Sequence, residues 1–258
     1  MDLIPDTWYQ KLSIEFEDGS TEVLHIERRS TGTHIPMRQG KPEPWTKLSF
    51  HKCSCCPYPD HMLACPAALS LQTTMSKIRA RKSTERVTAV AIDARGRAQT
   101  VEWPLQNVGS TLVQLAVFAS ACPVGRRLKP YLVGLPPFAS AFELSRQIAT
   151  KILQKHGGSV EAARKELTES LAPLHEVFVR LTERFRADER DLRDSEKMTV
   201  EDVRDAVPNS LTQVDAFAQL FDLRADKLLA ELSSELGWTG EGEAPVGSWW
   251  QRLFGSGR

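Results

Sequence analysis

The chain has 258 residues, of which 41% are hydrophobic and 26% charged, with 15 Gly and 15 Pro. This composition excludes collagen-like, wholly disordered and polytopic membrane proteins. Since 33 Lys and Arg balance 33 Asp and Glu, no net field draws the protein to nucleic acid or to an anionic membrane.

The first half of the chain shows the alternation of apolar and polar residues that is typical of strands. One pair of such segments surrounds Asp18 and Gly19, which favour a hairpin turn, and a second pair surrounds a turn that contains Gly96. Between the pairs lie a Cys-rich loop and a helix that Pro66 opens in its first turn. We therefore predict a four-stranded antiparallel sheet with a Cys-rich loop, in an α+β module of residues 1–106. The predicted strands are residues 8–17, 21–27, 86–92 and 98–103.

Helical spacing replaces strand alternation after residue 106. Apolar residues then recur every three or four positions, which predicts a helical C-terminal half over residues 107–236. The predicted helices begin near Asn107, Phe138, Ser159 and Ser210. Between the first two we expect an irregular connection that contains Pro130 and Pro136.

Residues 237–258 form a predicted flexible tail with an aromatic segment. Two adjacent Trp side chains are unfavourable in water, so this segment needs a surface to cover it. It folds back on its own domain, docks in the groove of a protein partner, or lies at a membrane interface as a short amphipathic turn. We expect the helical half to contribute to binding of a protein partner as well. The predicted partner-binding residues are Trp249, Trp250, Leu253 and Phe254.

Four of the five cysteines lie between positions 53 and 65. Disulfides do not persist in a reducing compartment, and a chain of this size does not need disulfide bonds to be stable. Metal or redox chemistry therefore explains the cluster of cysteines better. A C-x-x-C pair turns two thiolates toward one ion, and one nearby and one distant Cys complete four ligands. The predicted metal ligands are Cys53, Cys56, Cys65 and Cys122, with Cys55, His51 and His61 as alternative ligands.

Position along the helices makes these thiols unequal. Cys65 precedes Pro66 at the start of a predicted helix, where free N–H groups favour a reactive thiolate. Cys122 follows a predicted helix end, where the dipole disfavours an anion. Without a metal, we expect Cys122 to stay a neutral thiol.

Zinc and iron–sulfur clusters both accept four thiolates. The spacing matches neither the C-x₂-C-x₂-C run nor the C-x₄-C-x₂-C run of cluster proteins. A closed tetrahedral zinc site requires only that separate chain segments meet. Zinc is therefore the favoured cofactor. The alternatives are an iron–sulfur cluster, an exchanging dithiol with Cys65 as the reactive sulfur and Cys55 as the resolving thiol, or free thiols without a chemical role.

The sequence contains no motif of the nucleotide-hydrolysing, dinucleotide-binding, serine-hydrolase or zinc-protease classes. The first hypothesis is a metal-stabilised, non-catalytic interaction or adaptor protein, and the second is a redox protein. The chain starts without a basic, apolar leader and has no stretch long enough to span a bilayer, so we expect a cytoplasmic location.

Several short motifs resemble an uncharacterised bacterial family with no known activity. The motif W-x-x-L-x-F-H-x-C-x-x-C-P covers residues 45–57, and C-P-x-A covers residues 65–68. Residues 120–123 match S-G-C-P except that Ala121 replaces Gly, and residues 135–139 match L-P-F-A with one added Pro. The resemblance covers residues 8–156. It implies membership of that family but no particular reaction. It assigns Cys53, Cys56, Cys65 and Cys122 and leaves Cys55 unassigned.

Overall fold

The structure is a computed structural model of the full chain, and it describes residues 9–28, 34–38, 40–93, 96–196 and 204–238. Within these ranges an antiparallel sheet packs against a set of helices. The elements in chain order are β1 (Tyr9–Glu15), β2 (Thr21–Arg28), β3 (His34–Pro36), a 3₁₀ turn (Pro44–Thr46), α1 (Pro66–Met75), β4 (Arg86–Asp93), β5 (Ala98–Pro104), α2 (Leu105–Phe118), α3 (Pro123–Leu132), α4 (Ala141–Lys155), α5 (Val160–Glu196) and α6 (Ala206–Glu235).

The predicted four-stranded antiparallel sheet is confirmed, with the strand order β2-β1-β4-β5. Leu12 of β1 lies opposite Leu24 of β2, and both are fully buried together with Ile14. Alternate residues of a strand point to the same face, so one face of the sheet is apolar. A short fifth strand, β3, adds to the edge beside β2. Its three residues are too few for a recognisable alternation, so the sequence does not predict it.

Helices α1 and α2 contact the sheet, and α6 packs against α2, α4 and α5. The buried apolar side chains of the strands and the helices form one continuous cluster. The α+β fold, with most helices in the C-terminal half, is therefore as the sequence predicts.

Helix α3 occupies part of the segment in which we expected an irregular connection, and it forms a sharp corner with α2. Pro123 starts α3, because Pro suits the first turn of a helix, and α3 is bent by 113° from α2. A Cβ atom on Gly125 would lie 2.2 Å from the carbonyl oxygen of Val117, so glycine lets the two helices approach closely. Pro130 removes one N–H near the end of α3, but burial of Leu128 and its neighbours on the same side holds the helix in place.

The ends of α3, α4 and α5 are joined by a polar network around Glu166. Glu166 accepts hydrogen bonds from Lys155 Nζ at 2.7 Å and from the hydroxyl of Tyr131, and it lies 2.6 Å from Nε2 of His156. These contacts fix the start of the long helix α5 against the two helices before it. The orientation of α5 matters because its later turns reach the Cys-rich loop.

In the ranges described, no single helix combines the length and the apolar composition that crossing a membrane requires, and only α2 and α3 reach them together, as a bent pair. The predicted partner-binding residues of the tail lie outside the described residues, as does most of the tail. They are Trp249, Trp250, Leu253 and Phe254.

Candidate functional site

All five cysteines line one small cavity of about 20 Å³. Three chain segments bring them there: the loop before α1 supplies Cys53, Cys55 and Cys56, the start of α1 supplies Cys65, and the start of α3 supplies Cys122. Helix α5 closes the remaining side with Val177, Leu181 and two arginines. The structure thus brings the four predicted ligands, from distant parts of the chain, around a common space.

Backbone and side-chain hydrogen bonds hold the Cys-rich loop against this cavity. The N–H of Cys56 donates to the carbonyl of Cys53 at 3.1 Å, which forms the turn of the C-x-x-C segment. The N–H of Cys65 donates to the carbonyl of Thr46 at 2.8 Å. The Tyr58 hydroxyl donates to the carbonyl of Ala121 at 2.7 Å. This last bond ties the loop to the α2–α3 corner.

Two of the cysteines are the N-cap residues of helices. Cys65 caps α1, as the sequence predicts, and Cys122 caps α3. The helix end that we predicted does not explain the neutral thiol at Cys122: the residue follows the end of α2, but it also begins α3, where the backbone of Val124 and Gly125 acts to lower the pKa of its thiol. Both helix N-termini favour negative charge at the cavity.

The thiols of Cys53 and Cys122 are held in their protonated form. Burial raises the pKa of the Cys53 thiol to about 12, and the neighbouring Cys65 and Cys55 act in the same direction. Burial likewise raises the pKa of Cys122, although the two N–H groups at its sulfur act against this. Cys122 is thus a neutral thiol because it is buried, and a metal ion has to displace the protons.

Cys55 has a different environment from the other four thiols. It is exposed, and its thiol hydrogen-bonds to the carboxylate of Glu176 on α5. Burial and this bond raise the pKa of Cys55 to about 11. Glu176 also accepts hydrogen bonds from the N–H and the hydroxyl of Ser54, at 2.6 and 2.9 Å. Cys55 therefore helps to dock the loop on α5.

Arg180 and Arg184 of α5 line the cavity, and neither is a predicted site residue. The side chain of Arg184 is among the largest that are fully buried, at 1% exposure. Its Nη1 donates to the carbonyls of Trp45 and Lys47, at 2.8 and 2.6 Å. Arg184 therefore joins α5 to the segment that leads into the Cys-rich loop.

The two alternative histidine ligands are not among the residues that line the cysteine cavity. His51 is exposed, has a positive φ of 46° and places Nδ1 3.3 Å from a carboxylate oxygen of Glu183. His61 is exposed, and neither histidine lines the cavity. Within the described part of the chain, no group of three or more His, Cys, Asp or Glu side chains is arranged to hold a metal ion as it stands. The four thiols have to turn inward to bind one.

No curated protein and no solved structure matches the chain. A match to a protein family does exist, and it extends beyond the motifs of the Cys-rich half into α5 and α6. This agrees with the predicted membership of an uncharacterised family. The profile of DUF6901, a domain of unknown function, matches residues 11–236, and the chain therefore belongs to that family.

Proposed function

We propose that the chain is a metal-stabilised, non-catalytic interaction protein in which Cys53, Cys56, Cys65 and Cys122 bind one zinc ion. The observation that carries this proposal is the shared cavity, since cysteines from three separate segments line it. Bringing thiols together in this way has no structural purpose for a chain that already has an extensive apolar core.

The size of the cavity favours a single ion. A space of about 20 Å³ holds one sphere of the size of a water molecule. This suits one zinc ion better than an iron–sulfur cluster, which contains several iron and sulfur atoms. Four thiolates also complete the tetrahedral coordination of zinc, so no position remains for a substrate or a reactive water. A closed site of this kind stabilises a fold and does not catalyse a reaction.

Metal content after purification without oxygen tests the proposal. We expect about one zinc per chain, as is required by a single four-thiolate site. The variants C53S, C56S, C65S and C122S should each lose most of the zinc. C55S is the matched control, because Cys55 hydrogen-bonds to Glu176. It should keep the metal.

Three results would count against this function. A wild-type protein that binds no zinc after reconstitution and is fully stable would refute the proposal that a metal stabilises the fold. Retention of tightly bound zinc by C122S would exclude the four-thiolate site. Brown protein with iron and labile sulfide would support the redox alternative in place of zinc.

The interaction role is supported by apolar side chains that the fold leaves exposed. Leu220 and Leu223 of α6 are 53% and 78% exposed, and the aromatic tail adds further apolar residues, including Trp249 and Trp250. We place this role in the bacterial cytosol. Deletion of residues 248–258 should reduce recovery of a protein partner from a lysate of the source cells, and unchanged recovery would remove the tail from the proposal.

A further inference from the structure

The guanidinium of Arg184 is buried without a carboxylate partner. Its hydrogen bonds go to three backbone carbonyls, those of Trp45, Lys47 and Leu48, the last at 3.2 Å. Among the residues that the structure describes, no Asp or Glu forms an ion pair with it. Carbonyl dipoles supply only partial charges, and a buried cation without a counter-charge is strongly destabilising.

Arg184 also lines the cysteine cavity. Burial lowers the pKa of Arg184, whereas Cys65, Cys53 and Cys56 act in the opposite direction. The cysteine sulfurs are therefore the groups in its surroundings that can carry a formal negative charge. When they are protonated, Arg184 stays without a counter-ion.

We infer that Arg184 is the counter-ion of the metal–thiolate group that Cys53, Cys56, Cys65 and Cys122 form. This inference rests on the proposed function. Four thiolates and one divalent ion carry a net charge of minus two, which a buried site has to balance. Arg184 is thus a positioning residue that acts through the thiolates and selects an anionic metal group.

Arg180, one turn earlier on α5, supplies part of the remaining positive charge. Its Nη1 donates to Glu183 at 2.8 Å, and its Nε lies 3.8 Å from a carboxylate oxygen of Glu176. In the described part of the chain that Nε is buried without a hydrogen-bond partner. Because Arg180 already pairs with two carboxylates, Arg184 provides the larger share of the positive charge that balances the metal–thiolate group.

Thermodynamic linkage then couples the interactions of Arg184 to the binding of zinc. If zinc stabilises the charged form of the site and Arg184 stabilises that form too, loss of one weakens the effect of the other. Zinc binding should therefore strengthen the attachment of α5 to the segment at Trp45 and Lys47. A role limited to hydrogen bonding of carbonyls predicts no such coupling.

Zinc affinity, measured by competition with a chelator of known affinity, tests this inference on full-length R184Q and R184K. R184Q keeps a hydrogen-bond donor but loses the charge, and R184K keeps the charge. We expect R184Q to bind zinc about 30-fold or more weakly than wild type, as for truncation of a buried charge pair. R184K should bind at least about tenfold more tightly than R184Q. If R184Q is unfolded without zinc, its apparent zinc affinity also contains the free energy of folding. R184K is then compared with wild type, and a loss of affinity as large as that expected for R184Q would contradict the role of the charge.

The control variant is R164M, on the same helix. Arg164 pairs with Asp222 and Asp226 of α6, at 2.7 and 3.0 Å, and does not line the cavity. R164M should lower the Tm of the zinc-loaded and zinc-free forms alike and leave the zinc affinity unchanged. Equal zinc affinities of R184Q and R184K would overturn the role of Arg184 while the zinc site stands. Failure of the wild-type protein to bind zinc would instead refute the proposed function.

Discussion

Gly125→Ala tests whether the α2–α3 corner positions Cys122. A Cβ atom at this position would lie 2.2 Å from the carbonyl oxygen of Val117 and 2.8 Å from its carbonyl carbon. Backbone atoms cannot rotate out of the way, so α3 has to move away from α2. Because Cys122 is the N-cap residue of α3, this movement also displaces a proposed ligand.

The expected magnitude follows from two opposing effects. Alanine in place of glycine inside a helix usually stabilises by about 1 kcal/mol. Overpacking costs about 1–3 kcal/mol, and contacts to backbone place this site at the upper end. The net loss is about 2 kcal/mol, which lowers the Tm of a chain of this size by about 4–8 °C.

The assay combines thermal unfolding with zinc affinity, and Gly109→Ala is the matched control. A Cβ at Gly109 would lie 1.9 Å from the hydroxyl oxygen of Ser210, at the contact of α2 with α6, and Gly109 does not line the cysteine cavity. Both variants should be less stable than wild type, but only G125A should bind zinc more weakly. Unchanged stability of G125A, or equal zinc affinity of the two variants, would refute the role of the corner.

Three further predictions concern the helices around the site. Gly158→Ala should destabilise the protein by about 2 kcal/mol more than Gly157→Ala. Both glycines have a positive φ, but a Cβ at Gly158 would lie 2.5 Å from Cγ of Trp238, whereas a Cβ at Gly157 would meet no atom within 4 Å. Equal Tm values of the two variants would contradict this. Burial opposes ionisation of Glu166, but its three hydrogen-bond partners lower its pKa from 4.5 to about 2, so its contribution of about 2 kcal/mol is present above pH 4.5 and is lost as the pH falls toward 2. E166Q should therefore be less stable than wild type at pH 7 and equally stable near pH 2 in denaturant titrations, and a constant difference would refute the assignment. Ser140→Ala should cost about 1 kcal/mol, because the Ser140 hydroxyl accepts the N–H of the third residue of α4 in a capping box; an unchanged free energy of unfolding would show that the cap is not needed.

The sheet and the long helices are predictable from the sequence because their patterns repeat over many residues. Alternation over β1 and β2, and the apolar spacing of α5 and α6, each persist for several periods. The short strand β3 and the helix α3 lack such a signal. Three residues cannot establish a period, and two prolines around α3 suggest a loop unless the burial of Leu128 and Leu132 is known.

The four proposed ligands are predictable because cysteines are rare and clustered, but the charge around them is not. Arg184 lies three residues after Leu181 and next to Phe185, so it falls on the apolar stripe of α5. A cation on that stripe is the available signal. The sequence does not show which part of the molecule the stripe contacts, and the pairing of α5 with the Cys-rich loop is set by the packing of α5 against α3, α4 and α6.

The most direct test of the metal site is the zinc K-edge X-ray absorption spectrum of the reduced protein loaded with one equivalent of zinc. The account predicts a shell of four sulfur atoms at about 2.3 Å, and replacement of one sulfur by a lighter atom in C122S. A wild-type shell in which nitrogen or oxygen takes one or more of the four positions would contradict it.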